Sequence, residues 1–153
     1  MMNKPASPLW QQCERLYDAT HGPALLKRQA SHGCSVNLML LARYLDQNQH
    51  PLPQAIWHQL DQHAEHFERR ILRPYRLCRQ QLKARISQGA YQGILTIELV
   101  LERALQQQLA ILLPLSALEA HNEHRTGPIS FTNLCRYARA RNIPEELLTP
   151  IFQ

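Results

Sequence analysis

From Pro53 to Gln88 the chain can keep one helical phase, and the charge along that stretch constrains the fold more than any other feature. At 100° per residue, Phe67, Ile71, Tyr75, Cys78, Leu82 and Ile86 fall within one arc of about 100°. Arg69, Arg73, Arg76, Arg79 and Lys83 fall on the opposite arc, and no acid interrupts them. A helix with this pattern is expected to bury its apolar arc and turn a cationic stripe outward. Pro74 sits mid-helix, where it removes a backbone bond and should kink the chain. The apolar arc keeps its phase across the proline, which favours one kinked helix over two helices joined by a loop.

The basic character of the chain is local. Its formal charge is +5, yet seven of its seventeen Lys and Arg residues lie between 69 and 85, leaving ten bases against twelve acids elsewhere. Localised charge can bind a polyanion, whereas diffuse charge mainly tunes solubility. With 153 residues, 44% of them hydrophobic, residues 1–153 are expected to form a single helical domain. The first ten residues lack the apolar run of a signal peptide. The stretch Ile94 to Leu113 is almost long enough to span a bilayer, but Glu98, Glu102 and Arg103 would be costly there, so no transmembrane segment is expected. Cys13, Cys34, Cys78 and Cys135 are far apart and form no CxxC pair, as expected of reduced thiols in a cytoplasm.

Gly and Pro punctuate the rest. Ser7-Pro8 opens a helix through Leu9, Trp10, Cys13 and Tyr17 that Gly22 stops. Pro23 starts a short second helix and Gly33 ends it. Ser35 caps a third, Val36 to Asp46, which is apolar on nearly every side and is expected at the centre of the core. After the kinked fourth, a fifth runs from about Ala90 to Leu113 and stops at Pro114. A short sixth spans Ser116 to His121, a seventh runs from Phe131 to about Arg141, and Pro144-Glu145-Glu146 opens a last turn. No hairpin signals are present. The fold class is all-α: a compact irregular bundle of about five to seven helices, the fourth kinked at Pro74.

Leu9-Trp10, Leu16-Tyr17, Gly33-x-Ser35-Val36-Asn37-Leu38-x-Leu40-Leu41, a helix centred on Trp57, Arg73-Pro74-Tyr75-Arg76 and Gln81-Leu82-Lys83 recur in order. Over residues 8 to 85 this resembles a family of small proteobacterial proteins known only as a domain of unknown function, the DUF2390 type. Ser35 stands where an acid is expected, a change that still leaves an N-cap. The resemblance implies a bacterial, cytoplasmic, helical protein and supplies neither an activity nor catalytic residues.

Four features could carry function. The stripe of Arg69, Arg73, Arg76, Arg79 and Lys83 could follow a nucleic acid, a ribonucleoprotein, an acidic protein or a membrane surface. Its bland reading is a solvated face paired with Glu65 or Glu68. His63-Ala-Glu65-His66 and His121-Asn-Glu123-His124 each place two imidazoles on one side of a turn. Converging, His63, His66, His121 and His124 would make a four-nitrogen metal site with His58 and Asp61 behind it; apart, they are surface histidines. Cys34, at the start of the third helix, could carry a lowered thiol pKa, whereas Cys78 reads as core. Asn37 enters an apolar helix and must find partners, in a neighbouring helix or in a ligand. Glu98 and Glu102 share a face that reads as a solvated edge. No phosphate-binding loop, dinucleotide fingerprint, nucleophile elbow or zinc-finger spacing occurs, so neither a cofactor nor a catalytic residue is expected.

The expected function is that of a non-enzymatic interaction module meeting an anionic partner through the stripe. The alternative is a metal-dependent enzyme or metal-binding protein built on the paired histidines. Self-association through Ile94 to Leu113, giving a homodimer, is a third expectation.

Overall fold

Helices start and stop where capping chemistry dictates. The computed structural model describes residues 7–119 and 129–153. They form α1 (Pro8–Glu14), α2 (Gly22–His32), α3 (Val36–Gln47), α4 (Gln54–Phe67), α5 (Arg73–Leu82), α6 (Gln88–Ile111), α7 (Leu115–Glu119) and α8 (Thr132–Arg141). Two short 3-10 turns, Glu145–Leu147 and Thr149–Phe152, close the chain. No strand occurs among the described residues, so the all-α class holds. Ser35 Oγ accepts the Leu38 N–H at 3.3 Å and caps α3. Gly33 takes φ +65° after α2, the left-handed geometry that favours glycine. Helix α1 ends at Glu14, sooner than expected, and no helix is long and apolar enough to cross a membrane among the described residues.

Helix α3 is the centre, as its all-round apolarity required. Leu38, Met39, Leu41, Ala42 and Leu45 have no exposed surface, and α3 packs against α1, α2 and α8. Each such leucine contributes roughly 1.5–3 kcal/mol through burial. Helix α4 adds Trp57 and Leu60, and the Trp57 ring meets Tyr137 of α8 at 5.9 Å between centroids. Two buried polar residues join these layers. Asp46 accepts the backbone N–H of Asn133 at 2.8 Å and of Leu134 at 3.2 Å, placing a carboxylate on the positive end of α8. Asn133 Oδ1 in turn accepts from Leu52 N and Trp57 Nε1, while its Nδ2 donates to the His50 carbonyl. Burial raises the Asp46 pKa even though Asn133 and Leu134 donate to the carboxylate.

The long fourth helix does not keep one phase. Between α4 and α5, Glu68–Leu72 form a π-helical segment, and the Arg73 N–H reaches the Glu68 carbonyl five residues back. One extra residue in a turn rotates everything downstream by roughly 100°. The inward line therefore steps forward by one. Phe67 and Leu72 are buried, but beyond them Arg76 and Arg79 take the inner positions expected for Tyr75 and Cys78. Ile71, Cys78 and Leu82 are exposed, while Ile86 and Tyr75 stay partly covered, Tyr75 donating its hydroxyl to the Ile94 carbonyl at 2.7 Å. Pro74 falls in the first turn of α5, directly after the π segment, where its missing N–H does least harm.

Candidate functional site

Turning the arginines inward brings them onto the acids of α6. Helices α5 and α6 form a hairpin, and Glu98 and Glu102, four residues apart on α6, face the body of the protein and not solvent. Arg76 engages three carboxylates: Nη1 to Glu68 Oε2 at 2.9 Å, Nη2 to Glu102 Oε1 at 2.5 Å and Nε to Glu98 Oε1 at 3.4 Å. Arg79 sits 2.7 Å from Glu98 and donates to the Tyr91 hydroxyl at 3.1 Å. The side chains of Arg76 and Arg79 are each 20% exposed. Burial alone would lower the Arg76 pKa, but Glu102 and Glu68 outweigh it and the net shift is upward. Glu68 shifts the other way for a carboxyl: burial raises its pKa more than Arg76 lowers it.

This network forms one wall of a cavity of about 650 Å³ between α1–α3 and the hairpin. Asn37 and Gln106 connect the two sides. Asn37 Nδ2 donates to Glu102 Oε2 at 3.5 Å, and Gln106 Nε2 donates to Asn37 Oδ1 and to Glu14 Oε1, both at 3.1 Å. Gln106 is 4% exposed, and its Oε1 has no partner among the described residues. An orphaned buried acceptor costs about 1–3 kcal/mol. Tyr17, Leu26, Val36, Leu40 and Leu99 supply apolar lining. A volume of that size, apolar walls and a few convergent polar groups are the attributes of a small-molecule pocket.

The other expected site residues are dispersed. Arg69 is exposed, Arg73 reaches Glu65 at 3.4 Å, and the Lys83 ammonium lies 5.8 Å from the Tyr91 ring centroid. His63 shares a 2.6 Å hydrogen bond with Gln108, and His66 is exposed one turn on. His121 and His124 lie outside the described residues. No three His, Cys, Asp or Glu side chains gather as a metal-binding group among the described residues. Asp61 does not back a histidine; it pairs with Arg141 at 3.4 Å, and Arg141 also holds Glu65 at 3.1 Å and the His32 carbonyl. Cys34 runs against expectation, because burial lifts its thiol pKa to about 11 and overrides Arg141 and the adjacent helix start. Cys78, expected in the core, is exposed.

Glu14, Glu68 and Gln106 carried no signal of a site in sequence, since each lies on a different helix or helical segment. Asn37 did carry one, as a polar residue in an apolar helix.

The family model described as "Protein of unknown function (DUF2390)" matches residues 8–109. The chain belongs to this family. Every residue lining the cavity of this DUF2390 protein, from Glu14 to Gln106, falls within the matched residues. Comparison with curated proteins and with solved structures finds no match.

Proposed function

We propose that the protein is an interaction module whose α5–α6 hairpin docks an acidic, amphipathic helix of a partner protein. The observation that carries this reading is the outcome of the π-segment rotation: an uncharged apolar face left open, with only bases exposed around it. Ile71, Cys78 and Leu82 stand at i−4, i+3 and i+7 from Tyr75, and Ile97 stands at i+3 from Ile94. The Tyr75–Ile94 hydrogen bond sets these two rows side by side. Ile71 and Leu82 are each 38% exposed and Ile97 is 53% exposed. Contiguous apolar surface of this kind marks interaction sites.

Charge selects the occupant. From Glu68 to Ile111 the acids are Glu68, Glu98 and Glu102, and all three turn inward onto Arg76 and Arg79. Arg69, Arg70 and Arg73 are exposed at the start of α5, and Lys83 and Arg85 are exposed at its end. A second copy of the chain would bring bases against bases, which disfavours the homodimer on this face. Nucleic acid is disfavoured because Arg76 and Arg79 are consumed internally and the centre of the face is apolar.

The test is fluorescence anisotropy with three synthetic helical peptides: leucine/glutamate amphipathic, leucine/lysine amphipathic, and glutamate-rich without leucine. Only the first should bind, and Ile97→Glu or the pair Arg69→Glu and Lys83→Glu should weaken it about tenfold or more. Equal binding of the leucine/lysine peptide, or preference for duplex DNA, would overturn the reading. So would a concentration-dependent dimer that Ile97→Glu dissolves.

A further inference from the structure

We propose that the cavity between α1–α3 and the hairpin is a binding site for a small organic cation, an alkyl amine or diamine. The inference concerns a different surface from the docking face and is independent of it. It follows from counting which polar groups in the cavity remain unused. All three nitrogens of Arg76 are taken, by Glu68, Glu98 and Glu102, and Arg79 is turned to Glu98 and Tyr91. Two of the groups left over are acceptors. Gln106 Oε1 is buried with no partner, and Glu14 accepts only the Gln106 amide and has no cation beside it among the described residues. A guest that meets these two groups donates hydrogen bonds and carries positive charge.

Net charge says the same. Glu14, Glu68 and Glu102 line the cavity against Arg76 and Arg79, which also hold Glu98 outside it, so the lining carries an excess of negative charge in a partly dehydrated space. A carboxylate or phosphate guest would add to that excess and meet an Arg76 guanidinium already held by three carboxylates. The remaining lining sets the body of the guest: Leu40 is buried, while Tyr17 and Leu26 are 43% and 48% exposed at the edge. An ammonium near Glu14 and Gln106, with a methylene chain along Tyr17 and Leu26, satisfies both halves.

Isothermal titration of the full chain with hexylamine and 1,4-diaminobutane tests this, with hexanoate and ammonium chloride at matched ionic strength as controls. Saturable binding of an amine is expected, with no binding of hexanoate and none of ammonium ion, which lacks the apolar body. Glu14→Gln should raise the amine Kd about tenfold or more while leaving the unliganded melting temperature unchanged, because Glu14 holds no ion pair among the described residues and Gln keeps an acceptor for the Gln106 amide. If Glu14→Gln fails to fold, Leu26→Glu at the rim of the cavity serves instead and should tighten diamine binding. Three results would overturn the proposal: no saturable amine binding, equal binding of hexanoate, or an amine Kd indifferent to both substitutions.

Discussion

Replacing Arg76 with methionine tests the inverted helix most directly, because the two possible orientations of α5 give opposite answers. If Arg76 faced solvent in a cationic stripe, its loss would change stability by no more than about 0.5 kcal/mol. In the structure its guanidinium is 20% exposed and holds Glu68, Glu98 and Glu102, whose side chains are 7%, 13% and 27% exposed. Removing one partner from a buried ion pair costs about 3–5 kcal/mol. Glu102 and the guanidinium keep some solvent, which puts the expected loss near the lower end, about 3 kcal/mol. For a chain of this size that is a fall in Tm of roughly 6–12 °C. The loss also has a pH signature. Burial already holds the Glu68 pKa above its ordinary value with Arg76 in place. Without Arg76, the lowering influence disappears and the folded-state pKa rises further above the unfolded one. A raised carboxyl pKa means that the folded state binds protons more readily, so the penalty is full at neutral pH and fades as pH falls through that raised value. Urea denaturation of wild type, Arg76→Met and the exposed control Arg85→Met should show the large difference at about pH 7.5 and a progressively smaller one as the pH is lowered. Adding Glu68→Gln to Arg76→Met should recover part of the loss at neutral pH. A loss no greater than that of Arg85→Met, or one independent of pH, would refute the inward placement.

Three further perturbations probe the frame around the cavity. Asn133→Ala leaves Leu52 N, Trp57 Nε1 and the His50 carbonyl without their partner, and should cost about 3 kcal/mol in urea denaturation. A loss below about 1 kcal/mol would show that those groups find other partners. Gly33→Ala meets two obstacles, a φ of +65° and a Cβ 2.9 Å from Arg141 Nη2. It should lower stability by about 1–2 kcal/mol in thermal denaturation, and Gly33→Asn, which tolerates that φ, should lower it less. Thiol labelling in mildly alkaline buffer should modify exposed Cys78 first, while Cys34 and Cys135, each with a pKa pushed up to about 11 by burial, stay slow until the chain unfolds. Rapid labelling of Cys34 in the folded protein would contradict its placement.

Most of the frame was legible because its signals are local. Ser35, Gly33 and the all-round apolarity of Val36–Gln47 fixed the caps and the centre without reference to other elements. The site was not legible, for a single physical reason. Helical phase was extended at 100° per residue through Glu68–Leu72, and a π turn has no strong compositional mark; Pro74 pointed to a disturbance but not to an added residue. That one-residue step turns Arg76 and Arg79 inward and Ile71, Cys78 and Leu82 outward, against the sides their spacing assigns them, while Arg69, Arg73 and Lys83 stay exposed as expected. The acids of α6 carry a warning of it in sequence terms: Glu98 and Glu102 sit in the aliphatic run 94–105 at the spacing that suits one long guanidinium. An acid-bearing helix beside an arginine-bearing one has two ways to pack, and burying the charges requires each to be matched. Here three carboxylates converge on Arg76, and the match leaves the apolar residues of α5 and α6 outside. The same rotation thus produces both features proposed to act: a charged cavity with unpaired acceptors, and an apolar hairpin face bordered by bases. Arg76→Met should therefore disturb both, whereas Glu14→Gln should affect only amine binding and Ile97→Glu only the peptide. Loss of both activities from either of those single substitutions would mean that the two surfaces are one site.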